Sequence, residues 1–187
     1  ATNAWAVEVL SELPACKGDS KEWNNCFGRE SFDGGEYKGE YVSGKRHGQG
    51  TYLWESGNKY IGSFKKGVIQ GQGTFIWTNG DKYEGEFKDN KMYGQGSKTK
   101  VRGSETIRIV GEFKDGELNG QGTETFTIAN EAGEMVSIGE FKNGLLHGQG
   151  ELTWSDGTKY EGEWKDGEMD GKCSFIMGKK LSEYFSA

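Results

Sequence analysis

The sequence predicts an all-β fold: an elongated, twisted, single-layer antiparallel sheet of consecutive β-hairpins. Three observations carry that expectation. A stretch typified by Tyr83 to Gly96 (YEGEFKDNKMYGQG) recurs along most of the 187 residues, and its first glycine falls at Gly39, Gly62, Gly85, Gly111, Gly139 and Gly162. The steps are 23, 23, 26, 28 and 23 residues, a period that marks a repeat array. Within each copy, glycines and rings alternate so that both fall on one side of an extended strand. Composition agrees. Glycine is 32 residues and proline one, which excludes collagen, and 13% aromatics leave rings to supply most of the burial.

Residues 1–26 stand outside the repeat. Ala4 to Leu13 (AWAVEVLSEL) is apolar at Trp5, Val7, Val9, Leu10 and Leu13, which suits a short helix ended by Pro14 or an extended segment. It is expected either to cap the first sheet edge or to dock a partner. Cys16 and Cys26 flank a polar loop. Their ten-residue separation is not zinc-ligand spacing, and the two histidines, His47 and His147, lie a hundred residues apart, so a disulfide is expected. Such a bridge contributes roughly 2.5–3 kcal/mol in the chain-entropy model and belongs to an oxidising compartment. That points to the periplasm, an organelle lumen or the cell exterior. The opening Ala-Thr-Asn-Ala-Trp then reads as a mature terminus, with a cytoplasmic chain as the alternative.

The array is expected over residues 27–177. It opens on a half-repeat, with Cys26-Phe27-Gly28 in place of Gly-Gln-Gly and Phe32 leading into a turn at Asp33-Gly34-Gly35. Each later repeat reads as two strands. Tyr83 to Phe87 is one first strand, and Lys88 to Tyr93 is its turn, with Asn90 where other repeats have glycine. Gly71 to Trp77 is one second strand, closed by the hairpin signal Asn79-Gly80. Alternation puts Tyr52, Trp54, Tyr60, Phe64, Phe75, Trp77, Tyr83, Phe87, Trp154, Tyr160 and Trp164 on the glycine face, where a ring can lie flat on bare backbone. The opposite face carries Glu84, Glu86 and Lys88, or Glu161, Glu163 and Lys165, and is solvated. About 13 strands at roughly 4.8 Å each give an array about 60 Å long.

Two repeats exceed the period, by three residues between Gly96 and Ile109 and by five between Gly122 and Ser137. The extra residues are expected in loops at the second hairpin end. Cys173 occupies a glycine position and is expected to be free and buried. Residues 178–187, through Leu181 to Phe185, are expected to cover the C-terminal edge.

The repeated pattern resembles the MORN (membrane occupation and recognition nexus) family, whose unit reads roughly Y-x-G-E-[FW]-x-x-G-x-x-x-G-x-G. The resemblance covers about Phe27 to Met177, some six and a half repeats, and is compatible with an exported member. It implies a twisted single-layer sheet of hairpins, no catalysis in the repeats, and a role in binding or assembly.

Net charge is −6, which disfavours nucleic acid and generic attraction to an anionic membrane. Glu40, Glu86, Glu112, Glu140 and Glu163 recur once per repeat, whereas a catalytic acid is a singular group, so they read as structural. The Gly-Gln-Gly triplets lack the context of a phosphate loop. No catalytic set, cofactor site or metal site is expected. One feature is singular. Lys98 and Lys100 stand where Tyr52 and Trp54, or Phe75 and Trp77, stand elsewhere, and Arg102 follows on the same parity. Together they form a candidate anion or partner site, unless a bulge turns them to solvent. The expected function is a non-catalytic scaffold for protein partners of unknown identity, with self-association and peripheral lipid contact left open. The alternative is a binder of anionic headgroups or other anionic ligands.

Overall fold

A computed structural model of the chain describes residues 11–128 and 133–178. The described residues form thirteen strands whose neighbour order is their chain order, and their one helical element is the 3-10 turn Ser20–Glu22. The chain divides into two compact units, Ala1–Lys91 and Met92–Ala187. The first holds β1 (Cys26–Phe32), β2 (Gly35–Val42), β3 (Lys45–Trp54), β4 (Lys59–Lys65), β5 (Val68–Ile76) and β6 (Lys82–Lys88). The second holds β7 (Lys91–Arg102), β8 (Glu105–Lys114), β9 (Glu117–Ile128), β10 (Glu134–Lys142), β11 (Leu145–Trp154), β12 (Lys159–Lys165) and β13 (Glu168–Ile176). Within each unit the sheet is a single antiparallel layer of hairpins. The expected helix or strand over Ala4 to Leu13 falls mostly outside the described residues, as does the expected edge cover at Leu181 to Phe185.

The turns inside the repeats are tighter than the sequence suggests. Two residues join the strands, both at positive φ, as at Lys66-Gly67 (52° and 88°) and Asp89-Asn90 (50° and 65°). This is type I′ geometry, whose twist matches that of the flanking strands. Lys88 and Lys91 are therefore strand ends rather than turn residues.

One contact repeats through the first unit. Gly39 faces Gly50, and the next aligned pair is Tyr41 with Arg46, so Glu40 alone opposes His47, Gly48 and Gln49 in a bulge. The ring of Tyr37 lies over both glycines, so that a Cβ on either would collide with it. Its hydroxyl donates to the Glu40 carbonyl at 3.1 Å. Tyr60 repeats this over Gly62 and Gly73, donating to the Ser63 carbonyl at 3.2 Å, and Tyr83 donates to Glu86 at 3.1 Å. All three tyrosines are fully buried. Phe64 and Phe87 meet Tyr37, Tyr60 and Tyr83 edge to face at 4.9–5.2 Å.

The second unit reaches the same end differently. Ile109 and Ser137 occupy the tyrosine positions. Leu118 fills the space over Gly111 and Gly122, and Leu146 with Trp164 fills that over Gly150. Tyr160 does not settle on Gly162, because Cys173 faces that glycine. Its ring instead packs against Trp154 at 5.6 Å and Phe175 at 4.5 Å. Cys173 itself is exposed, contrary to the burial expected from its glycine position. Every residue of β13 is exposed, and among the described strands only β12 pairs with it.

The longer repeats also differ from expectation. In the first of them the extra residues do not form a loop. β7 and β8 pair without a register shift from Gly94 opposite Phe113 to Arg102 opposite Glu105, ending in a turn at Gly103-Ser104. Alternating Thr, Val and Ile suit strand extension at this point. β9 and β10 lengthen likewise, up to residues 129–132, which lie outside the described residues.

The first edge is partly covered by a loop whose Ala15 forms an isolated parallel bridge with Phe27. Cys16 and Cys26 are disulfide-bonded, with Cα atoms 4.9 Å apart. Phe27 donates to Pro14, and Cys16 donates to Phe27. The Trp23 carbonyl accepts from Gly44 at 2.8 Å, as Arg46 accepts from Gly67 in the next repeat. The Trp23 ring stands edge-on to Tyr41 at 4.8 Å and fills the space over Gly28.

Three outcomes are expected. Gly50 and Gly73 have no positive φ, so Gly50→Ala or Gly73→Ala tests the ring contact alone. Each should cost about 1–3 kcal/mol in urea unfolding, because the ring has to leave its seat. An unchanged midpoint would show the rings lie elsewhere. The second concerns alkali. Burial pushes the Tyr37 and Tyr60 phenols well above the ordinary range and Tyr83 up to about 12. The unfolded chain loses these protons near pH 10 while the folded chain keeps them. Their contribution is therefore complete below about pH 10 and is lost as pH rises through the folded values. The urea midpoint should drop between about pH 8 and about pH 11, and equal midpoints would mean the phenols are solvated. Third, non-reducing alkylation of native protein should label Cys173 alone. Three labelled thiols would remove the bridge.

Candidate functional site

The glycine face differs between the two units along one cross-strand row. In the first unit the row is Tyr37, Tyr52, Tyr60, Phe75 and Tyr83, each opposite the next on β2 to β6. In the second it is Lys98, Ile109, Glu124, Ser137, Leu152, Tyr160 and Phe175 on β7 to β13. The neighbouring row there is Lys100, Ile107, Phe126, Met135 and Trp154. Lys98 and Lys100 therefore share a face with Trp154. The unbroken β7–β8 register means that no bulge turns them away.

Each unit carries a hollow on this face. In the first, a space of about 350 Å³ is lined by Arg46, Tyr52, Trp54, Phe64, Ile69 and Phe75, with Gly67 and Asn90 at its rim. Arg46 lies 5.0 Å from the Tyr52 ring centre, 5.4 Å from Phe32 and 5.9 Å from Tyr37 and Phe64, and it donates to the Gly67 carbonyl at 3.1 Å. That cation is held by its own unit. Beside it, Tyr52, Trp54, Phe75 and Trp77 form a tilted ladder with ring centres 4.5–5.2 Å apart.

In the second unit a space of about 340 Å³ is lined by Lys98, Lys100 and Glu124 over Ile109, Phe113 and Leu118, with Glu117 and Asn143 at the turn end. Lys98 and Glu124 each stand two residues after the last glycine of their triplet, as Tyr52 and Phe75 do. Charges thus replace rings at matching places. Burial pushes the Glu124 carboxyl above its ordinary range, and Lys100 pulls it partly back. Arg102 has the expected parity but lies exposed at the strand end, opposite Glu105, donating to the Val101 carbonyl at 2.8 Å. The structure therefore gathers Lys98 and Lys100 with Glu124 and leaves Arg102 outside the hollow. Glu124 was visible in the same alignment that singled out the lysines, as an acid in a ring position.

The recurring acids have a local role. The carboxylates of Glu40, Glu112, Glu140 and Glu163 occupy the space a side chain would need at Gly48, Gly120, Gly148 and Gly171, the first glycine of each triplet. Gly48, at φ 62°, also sits inside the bulge, where a larger residue is strained. His147 lies 3.5 Å from Asp166 in a partly exposed pair. Among the described residues no group of three or more His, Cys, Asp or Glu is placed to hold a metal ion. No helix among them is long and apolar enough to cross a membrane.

Comparison with known proteins agrees with the repeat geometry. No curated protein matches the chain. The family model of the MORN repeat matches six segments, residues 37–59, 60–82, 83–105, 110–128, 138–159 and 160–179. These segments cover well over half of the sequence, and the chain therefore belongs to the MORN repeat family.

Proposed function

We propose that the protein is a non-catalytic scaffold that binds a protein partner through the glycine face of its repeats, in an oxidising compartment. The observation that carries this reading is the Tyr52–Trp54–Phe75–Trp77 ladder beside an open hollow, with Trp54, Phe75 and Trp77 only partly buried. Aromatic side chains at the centre of a contact supply much of the energy of protein association. The groups that repeat and could react are engaged in the fold: tyrosine hydroxyls on bulge carbonyls, glutamates over glycines. The Cys16–Cys26 bridge supports the compartment.

The alternative is an anionic-ligand binder built on Lys98, Lys100 and Arg102. The two lysines beside an apolar floor favour it, and Glu124 opposes it. A photo-crosslinking residue at Trp54 or at Lys98, introduced into the full chain in its native host, separates the two. The scaffold reading expects one protein adduct from Trp54. Lipid adducts from Lys98 without a protein adduct from Trp54 would favour the alternative, and no adduct at either position would overturn both.

A further inference from the structure

We propose that the outer edge of β13 takes up one further strand from another protein, an extended segment of the pattern Tyr-x-Gly-Glu-Phe or Tyr-x-Gly-Glu-Trp. This surface is an edge, not the glycine face, and stands whether or not that face binds a partner. Inside the units the second strand of a repeat presents a recurring edge to its follower. On β11, Gly148 faces Trp164, Gln149 faces Glu163 and Gly150 faces Gly162 of β12. On β5, Gly71 faces Phe87, Gln72 faces Glu86 and Gly73 faces Gly85 of β6. β7 with β8 and β9 with β10 keep the same three pairs, and β3 with β4 differs in having Ser63 for the glutamate. Such an edge accepts a strand that brings glycine, glutamate and a ring in that order.

On β13, Gly171, Lys172 and Cys173 stand in the places of Gly148, Gln149 and Gly150. Its apolar surface is left open. Met169, two residues before the first glycine, is 51% exposed, whereas Ile69 and Leu146 at the same place are 6% and 7% exposed. At both of those the next repeat is in contact: Asn90 donates to the Ile69 carbonyl at 3.1 Å and Gly167 to the Leu146 carbonyl at 2.9 Å. The bulge at Gly171 (φ 86°) is no obstacle to a further strand. β11 has the same bulge at Gly148 (φ 71°) and pairs with β12 in unbroken register. Lys172 selects the occupant, because it replaces the glutamine that faces a glutamate in the inner repeats. Opposite charges directly across a strand pair attract, and like charges repel. A lysine on an edge also discourages strands that bring no acid. In this chain β2, β4, β8, β10 and β12 are each flanked on both sides, so the added strand comes from another protein.

The test titrates the full chain with the capped peptide Lys-Tyr-Glu-Gly-Glu-Phe-Lys, the sequence of β6, and with a variant carrying Lys for the Glu that follows Gly. In heteronuclear NMR spectra the amide shifts should concentrate in β13. The wild-type chain should bind the first peptide about fivefold more tightly than the variant. That order runs against net charge, because the chain carries −6 and the variant peptide is the more positive. Lys172→Glu, an exchange at an exposed position, should invert the preference. No shifts in β13, or a preference that Lys172→Glu leaves unchanged, would overturn the proposal. So would a full chain that sediments as a dimer and takes up no peptide, a result that would assign the edge to a second copy.

Discussion

A phenol ring laid over two facing glycines is the contact on which this fold depends. A single-layer sheet has no second layer to bury its apolar face against, so side chains have to build a core by folding back onto their own backbone. Glycine makes the backbone approachable, and tyrosine supplies area. A buried hydroxyl then requires an acceptor, and leaving it unpaired would cost about 1–3 kcal/mol. The bulge opposite Glu40 or Ser63 leaves a carbonyl within reach of that hydroxyl. Tyrosine, the glycine pair and the bulge are thus one device. The glutamate beside the first glycine of the triplet packs against the other side of the same bulge.

The second unit shows that the glycine pair is the fixed part and the ring the replaceable one. With Ile109 and Ser137 at the tyrosine positions, Leu118 and Leu146 reach the same glycines from the following strand. A leucine needs no acceptor, but it also covers less of the face. The space left over Phe113 and Leu118 is where Lys98, Lys100 and Glu124 stand. The polar hollow follows from a change in how the core beneath it is filled.

The period and the shared face of glycines and rings were legible in the sequence because both depend on side-chain alternation, which spacing reports directly. The bulge was not. It adds residues to one strand without altering the spacing between repeats, so Gly-Gln-Gly reads as plain strand. The turns were overestimated for a related reason: Asp89-Asn90 carries the whole reversal, and its flanking lysines look like loop residues. The longer repeats looked like loop insertions because length says nothing about pairing, yet β7 and β8 pair through them. Cys173 was placed by analogy with a glycine that other repeats cover, and β13 lacks that cover. At the candidate site the lysines stood out as positive charges among rings. Glu124, an acid in an acidic protein, became informative only when the register set it two strands from Lys98.

The same face serves as core and as surface, and the two uses compete. Each ring drawn down onto a glycine stabilises the sheet and is lost to any partner. Each ring left standing, as Trp54 and Trp77 are, offers contact area at the cost of exposed apolar surface. Charge on this face is a third choice. Glu124 gives up hydration on entering the hollow, and Lys100 restores only part of it, so the group contributes less to folding than a phenylalanine there would. What the charge adds is discrimination. An apolar hollow accepts most apolar groups of suitable size. One lined by ammonium groups on β7 and a carboxylate on β9 is a poor seat for such groups, because covering it would strip the charges of water.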